Sequence, residues 1–581
     1  MGDENKRAGV SRRRVLGGMG AGVAAGSLAA VPALSIVATP AQAGAPARGP
    51  GVPRDSANFG RLFPEMAPFA EATDTVRSAL LEVGMPGGVL DAGDDLAAGP
   101  TRLIVDPTVN GNPTPSDPYG SNPDNPTMTA GSTFVGQFVD HDITFDQTSQ
   151  LGVPQNPLLS PNTRTPALDL DSVFGGGPGT RPDLYEPNHD GSVGPKLRLG
   201  TGGVHEDVPR KPNGDGTYTA LLGDPRNDEN LVIAGLHNAH ILFYNRVLDD
   251  LAELDLHAFP SAASDGRPRL AYLRYRIARE VTVWHYQWLL VNEHLPQICG
   301  QSVVDDVLAR GGQFFRPPHG KPLLPIEFGA AAYRFGHSMV RPSYRANFTS
   351  GTGDSTSPTA NPFFALVFDA NEPGFNAPVN HDRADLLGGF PAPRRYIGWQ
   401  TFFDFGDGQV KNNKKIDTTI SSVMFTLPLG AIAPHTQTAP LVLAQRNLLR
   451  QLTWGLPAGQ SIAAAMGVDV LHPNDLGDIA SVYGPFGTST PLWYYVLAEA
   501  KHANGGLTLG PVGGRIVAET LIGLLRADPN SYLSVYPRFR PFLGTDLVLG
   551  ATPNRAITGN RAYTRAHFLY YAGVVKPGLY R

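Results

Sequence analysis

Two histidines in this chain have neighbours suited to proton transfer or metal ligation. The first lies in Gly136-Gln137-Phe138-Val139-Asp140-His141-Asp142. On a helix, Gln137 falls three and four residues before Asp140 and His141, so the three share a face and Asp142 turns away from it. A histidine beside an amide and a carboxylate suits general acid–base work; alone, the segment also reads as an ordinary polar helix end. The second lies in Ala332-Tyr333-Arg334-Phe335-Gly336-His337-Ser338. There Arg334 and His337 share a face, and Gly336 leaves space beside the ring. A lone helical histidine is more often a satisfied core or surface residue.

Three more segments carry charge or oxygen donors. Gly223-Asp224-Pro225-Arg226-Asn227-Asp228-Glu229 opens a long apolar helix, with Arg226 and Glu229 as i,i+3 neighbours. A capped N-terminus with a local Arg226–Glu229 ion pair is the plain expectation. In Arg446-Asn447-Leu448-Leu449-Arg450, Asn447 and Arg450 share a face. In Thr165-Pro166-Ala167-Leu168-Asp169-Leu170-Asp171, an extended loop would present Thr165, Asp169 and Asp171 on one side, with the Ala167 carbonyl between them. Hard oxygen donors suit calcium, and an acidic surface loop is the plainer alternative.

Helices must position these groups. Apolar spacing predicts helices at Ser132–Ile143, Asn230–Leu254, Leu270–Leu295, Glu327–Met339, Leu441–Thr453 and Gly514–Leu525. Val232, Leu236, Ala239, Phe243 and Val247 form a helical stripe flanked by more apolar residues, which predicts a deeply buried second helix. Strand signals are few and short. The fold class is therefore mainly α, and 67 glycines and 53 prolines predict long irregular connections. Residues 44–125 read as a Pro/Gly-rich wrapping arm with one helix near Val76–Val83, and residues 126–581 as a single large domain.

Composition narrows the function classes. The 581 residues are 41% hydrophobic and 17% charged, as in a soluble globular protein. The net charge of −5 and the lack of a long basic run exclude a nucleic-acid partner. The one cysteine, Cys299, can form no internal disulfide and reads as a small core residue. Ser11-Arg12-Arg13-Arg14-Val15-Leu16 looks like a twin-arginine export motif, followed by small and apolar residues and a cleavage site at Ala41-Gln42-Ala43. Residues 1–43 are thus expected to be a signal peptide for the twin-arginine export machinery, giving a secreted or periplasmic protein. No later stretch reaches the roughly 18 uninterrupted apolar residues of a membrane span.

In this order, the segments resemble the animal-type haem peroxidases of the peroxidase–cyclooxygenase superfamily. The resemblance covers roughly residues 57–545. It includes Gln-Phe-x-Asp-His-Asp, Gly-Asp-x-Arg-x-x-Glu and Arg-Phe-Gly-His. Asn238 through Asn245-Arg246 also fits, as does Leu509-Gly510-Pro511-Val512-Gly513-Gly514-Arg515-Ile516-Val517-Ala518-Glu519. It implies a helical haem-peroxidase domain that binds haem b, reduces hydrogen peroxide and oxidises a small electron donor (halide, pseudohalide or phenol) via a ferryl intermediate. His337 would ligate the haem iron, with Asn447 fixing its tautomer. His141 would move the peroxide proton, Arg226 would stabilise developing charge, and Gln137 would hold distal water or halide. Arg334 and Arg450 would pair with haem propionates. Asp140 and Glu229 match carboxylates that form ester links to haem. The methionine that gives a sulfonium link elsewhere in the family is absent, because Asn230 follows Glu229. Asp142, Thr165, Ala167, Asp169 and Asp171 would hold calcium. This sequence departs from the family at Ala167, Asp171 and Thr453-Trp454-Gly455.

Two other readings compete. A fatty-acid dioxygenase of the same superfamily carries a tyrosine three residues before the proximal histidine. That position is Arg334 here, and Tyr333 should lie about 100° around the helix from it. A non-catalytic exported adhesion or matrix protein would more naturally carry appended binding repeats, and none is present.

Overall fold

The structure, a computed structural model, describes residues 57–105, 122–201, 205–253, 267–318, 323–348, 362–373, 375, 383–390, 396–428, 440–547 and 563–575. The export motif and its cleavage site lie outside the described residues. Eight helices build and brace the site: α1 Asp74–Val83, α2 Gly131–Ile143, α3 Leu231–Ala252, α4 Arg267–Leu289, α5 Leu443–Thr453, α6 Leu492–Asn504, α7 Pro511–Ala527 and α8 Arg565–Ala572. The architecture is mainly helical, with short two- and three-stranded sheets and, among the described residues, no barrel.

Helix α3 is the axis of the molecule. Asn230 caps it, its side chain accepting from Ile233 N–H at 3.0 Å. Its apolar residues run all the way round, so it is buried on nearly every side, from Leu231 to Leu251. Helices α2, α4 and α8 all pack against it. Where an uninterrupted Leu270–Leu295 helix was expected, α4 ends at Leu289 and a π-turn covers Leu290–His294. Pro296 explains the widening, since it has no N–H to return to the preceding turn.

Short strands tie distant segments together. Ala57–Gly60 runs parallel to Leu324–Pro325, with Phe59 opposite Leu324, and antiparallel to Pro161–Asn162. Asp124–Thr129 pairs with Asn412–Lys414. Val76, Leu80 and Val83 of α1 are buried, and α1 packs on α5. The segment around Phe59 and the helix near Val575 belong to the same apolar core. Burying each large aliphatic or aromatic side chain stabilises the fold by about 1.5–3 kcal/mol. The core, not a disulfide, therefore holds this chain, and Cys299 is buried in it.

Candidate active site

One internal cavity of about 290 Å³ is lined by Gln137, Asp140, His141, Arg226, Glu229, Arg334, His337 and Arg450. Asn447 stands behind His337. The two histidines, nearly two hundred residues apart in sequence, thus open onto the same space.

The distal wall begins with α2. Phe138 and Asp142 point into the core, and Phe138 stacks on His240 at 4.6 Å. That leaves Gln137, Asp140 and His141 on the cavity side, as their spacing predicts. His141 Nδ1 lies 2.9 Å from Asn227 Oδ1, and Asn227 Nδ2 lies 3.0 Å from His237 Nδ1. With the Asn227 amide oriented this way, His141 Nδ1–H donates to Asn227 Oδ1 and Asn227 donates to His237. His141 Nε2 then carries a lone pair, 3.7 Å from Glu229 Oε1. Burial, helped by the charge of Arg226, pulls the His141 pKa down to about 4. His141 is thus a neutral base at ordinary pH.

Arg226 sits on a 3-10 turn, Pro225–Asp228, capped by Asp224. Its guanidinium donates to Asp224 Oδ1 at 3.1 Å and Oδ2 at 2.9 Å, and to the carbonyls of His141 and Thr144 at 3.1 and 2.5 Å. It also covers the Phe145 ring at 4.2 Å. The expected Arg226–Glu229 ion pair is therefore corrected: Arg226 pairs with Asp224. Among the described residues its Nη1 bonds nothing, and Arg226 lines the cavity. Burial pushes the Asp224 carboxyl up, but Arg226 and Arg164 outweigh it and hold the carboxyl below its usual range. Gly388 passes so close that a Cβ there would lie 1.6 Å from Asp228 O. Glu229 accepts from Gln137. Burial pushes Glu229 up to about 8, with Asp224 and Asp140 adding to the rise against Arg226. At neutral pH it is a protonated acid facing a neutral imidazole.

The proximal wall departs from the expected Glu327–Met339 helix. An α-helix covers only Ile326–Ala330, Ala331 breaks it at φ −134° and ψ −74°, and a 3-10 helix runs over Ala332–Met339. Tertiary anchors impose the break. Buried Glu327 accepts from Leu62 and Phe63 N–H at 3.0 and 3.2 Å, Gln451 donates to Ala330 O at 3.1 Å, and the Trp493 indole donates to Arg334 O at 3.1 Å. In a 3-10 helix i and i+3 eclipse, so Arg334 and His337 still share a face. Tyr333 nonetheless lines the same cavity, its hydroxyl 3.4 Å from His294 Nε2. Being a third of a turn away from Arg334 did not remove it from the site.

The His337 Nδ1 lies 2.7 Å from the Asn447 carboxamide nitrogen. A half-turn of that amide exchanges oxygen for nitrogen without changing its shape, and then Nδ1–H donates to Asn447 Oδ1. Burial, with the charges of Arg334 and Arg450, holds the ring well below its usual pKa. Neutral His337 then offers Nε2 as a ligand. Arg334 and Arg450 lie beside it without an ion pair among the described residues, and Arg334 Nε is buried and unbonded. Burial and then the charges of Arg334 and Arg446 depress Arg450. Asp146 and Asp140 offset this only in part, so the wall is cationic. A Cβ on Gly336, which also lines the cavity, would meet no atom within 4 Å. Neutral histidine, unpaired guanidinia and an open floor fit a flat metalloporphyrin with two carboxylates.

The oxygen-rich loop fits calcium only in part. Asp142 accepts from Leu170 N–H at 3.0 Å and from Ser172 N–H and Oγ at 3.1 and 2.8 Å. Burial and the neighbouring charge of Asp169 push Asp142 up to about 7. Two carboxylates thus face each other across the loop. Asp169 also takes Arg279 at 3.0 Å, and Asp171 is turned to Arg164 at 3.5 Å. No cluster of three or more His, Cys, Asp or Glu residues among the described residues is arranged to hold a metal ion. The parallel presentation of Asp169 and Asp171 is therefore corrected, because Leu168 and Leu170 adopt left-handed φ of 53° and 57° and rotate the alternation.

Sequence reasoning missed Asn227, His237, Asp224, Arg446 and the Tyr333–His294 contact. The Gly223–Glu229 segment contains Asn227 and Asp224, and both look like helix caps in the sequence.

Residues 148–372 match the sequence model of the animal haem peroxidase family. That span holds Arg226, Glu229, Arg334 and His337; His141 and Asn447 fall outside it. Thyroid peroxidase of Rattus norvegicus is 26% identical over 205 residues, 33% of this chain and 20% of that protein. Chorion peroxidase of Aedes aegypti is 29% identical over 128 residues, 21% of this chain and 15% of that protein. The matches thus span no more than a fifth of these relatives. Among solved structures, peroxidase A from Dictyostelium discoideum superposes with a TM-score of 0.52 at 16% identity, covering 92% of this chain and 99% of the other. Fatty acid alpha-dioxygenase from Arabidopsis thaliana gives 0.50 at 14% identity, covering 90% and 76%. Both share the fold.

Proposed function

On the premise that this chain carries an animal haem peroxidase domain, we propose that it reduces hydrogen peroxide and oxidises a small electron donor. One observation carries the reading: His141, with Nε2 free, and His337, backed by Asn447, open onto one cavity with Arg226 beside the first. When bound, haem supplies the redox-active iron. His337 would offer Nε2 to that iron, and Arg334 and Arg450 would meet the haem propionates. His141 Nε2 takes a proton from one oxygen of hydrogen peroxide and returns it to the other as the O–O bond breaks. Arg226 Nη1 donates to that leaving oxygen as charge builds on it. Gln137 and Glu229 close the pocket above and orient water.

Finer points belong to the same proposal. Asp140 and Glu229, both on the cavity, would form ester links to haem, each C–H bond replaced giving up two electrons to peroxide and a proton to water, so acidified organic solvent leaves haem on the protein. Asp142 and Asp169 would hold calcium, with Thr165 and Ala167 as further donors. Metal analysis should find one calcium per chain, and finding none leaves Arg164 and Arg279 as the loop's cations. Export rests on the Ser11–Leu16 motif.

The decisive experiment is an optical spectrum of purified protein before and after peroxide, with a halide-oxidation assay on the same sample. A Soret band that shifts with peroxide and recovers with donor supports the proposal. Bound haem that ignores peroxide refutes it. A second reading, fatty-acid dioxygenase, draws on the dioxygenase-like fold and on Tyr333 in the cavity wall. Oxygen uptake with a fatty acid, lost in Tyr333→Phe, would favour it.

A further inference from the structure

A series of aromatic side chains leads from the cavity wall toward the surface, with ring contacts at Tyr286–His240, Tyr244–Tyr275 and Tyr275–Tyr272. Tyr333 lines the cavity, and His294 Nε2, a ring that burial and Arg565 make a weak base, stands 3.4 Å from its hydroxyl. The hydroxyl of Tyr286 is an electrostatic neighbour of Tyr333 and bonds nothing among the described residues. Tyr286 meets His240 with ring centroids 5.8 Å apart. His240 and Tyr244 lie one turn apart on α3, where such side chains are neighbours. Tyr244 meets Tyr275 at 6.4 Å, and Tyr275 stacks on Tyr272 at 6.4 Å with 29° between planes. Tyr272 is 61% exposed.

We propose that the protein oxidises a second class of donor, electron-rich phenols on macromolecules too large for the cavity, at the exposed ring of Tyr272. This rests on the reading of the cavity as a peroxide-reducing haem site. Electron tunnelling weakens steeply with distance, so steps of one ring contact outpace a single long jump. Proton release decides where the oxidising equivalent comes to rest. Tyr286 and Tyr244 are buried, which holds their hydroxyls well above the usual range. The Tyr244 hydroxyl donates to Pro195 O at 2.6 Å, and a carbonyl is no base. Of these tyrosines Tyr272 is the most exposed, and water there takes the proton.

The balance closes. Tyr272 loses one electron inward and its hydroxyl proton to water. The donor phenol then returns an electron and a proton and leaves as a phenoxyl radical. Two such turns supply the two electrons with which one hydrogen peroxide becomes two waters.

The test uses haem-loaded full-length protein treated with peroxide and a nitroso spin trap, with adducts mapped by mass spectrometry. Adducts should sit on Tyr272. Oxidation of a phenol tethered to a soluble polymer should fall about tenfold or more in Tyr272→Phe, while free phenol is oxidised as before. Zinc-porphyrin protein, illuminated with a sacrificial electron acceptor, generates the oxidant without peroxide. If peroxide leaves the haem spectrum unchanged but illumination still marks Tyr272, the peroxidase reading fails and the route stands. Adducts confined to Tyr333 in both arms, or unchanged polymer-phenol oxidation in Tyr272→Phe, overturn the route.

Discussion

On the distal wall, Arg226 already holds Asp224 and two carbonyls. Across the cavity, Arg334 and Arg450 form no ion pair among the described residues, and burial lowers both, with Arg334 and Arg446 further depressing Arg450. The distal side is complete without a cofactor, and its groups are poised to move protons. The proximal side is an unfinished ion pair, and a dianionic ligand completes it. Substitutions on the two sides should therefore fail differently, one in rate and the other in retention.

The largest contrast is between the histidines. His337→Ala removes the imidazole that Asn447 orients beside Arg334 and Arg450, so haem retention should be lost and the Soret band abolished or displaced. An unchanged spectrum breaks the proximal assignment. His141→Ala should keep haem and slow its reaction with peroxide by about 10²–10⁴-fold, the usual worth of a positioned acid–base group. Stopped-flow mixing measures it, and parallel loss of haem would make His141 structural.

The arginines sharpen the contrast through stability. Arg226→Met strands buried Asp224. Breaking such a pair costs about 3–5 kcal/mol, and the low end applies because Arg164 still holds Asp224 at 2.7 Å. Arg450→Met removes a cation from a self-repelling set, so the apoprotein should melt higher than wild type. The same change removes a charge-assisted bond of about 1.5–3 kcal/mol from haem, weakening binding about 10- to 100-fold. Thermal melts with and without haem test the opposed signs. If Arg450→Met lowers both, the unfinished-pair picture is wrong.

Legibility in the sequence follows the same divide. Gln137, Asp140 and His141 were readable because α2 is a regular helix, and side-chain periodicity alone sets which of them share a face. The break at Ala331 was not readable, because Glu327 makes it by bonding Leu62 and Phe63, some 265 residues away. Asn227 was hidden for another reason: an asparagine near a helix start looks like a cap, and only the fold shows it between His141 and His237. The loop at Thr165–Asp171 misled because alternation assumes extended backbone, and two left-handed leucines cancel it. Regular local geometry can be read directly; groups whose meaning depends on a distant partner cannot.

The smallest effect tests the distal tautomer through pH. In the apoprotein His141 titrates near 4, against 6.5 for an unperturbed ring, because burial and Arg226 penalise the cation. The unfolded chain therefore binds more protons than the native one between these values. Stability from this residue is fully present above 6.5 and is lost as pH falls toward 4, by about 3 kcal/mol at 1.36 kcal/mol per unit. Glu229 acts with the opposite sign. Its native pKa, about 8, exceeds 4.5, so its contribution is present below 4.5 and fades as pH rises through 8. Denaturant melts of wild type, His141→Gln and Glu229→Gln across this range separate the two. His141→Gln should flatten the acid limb, and Glu229→Gln the alkaline limb. Kinetics should agree, with the rate of peroxide reaction level above pH about 5 and falling once His141 takes its proton. An acid limb that persists in His141→Gln would assign the buried base to His237, the other ring joined to Asn227, and would place the working proton one residue deeper than the cavity wall.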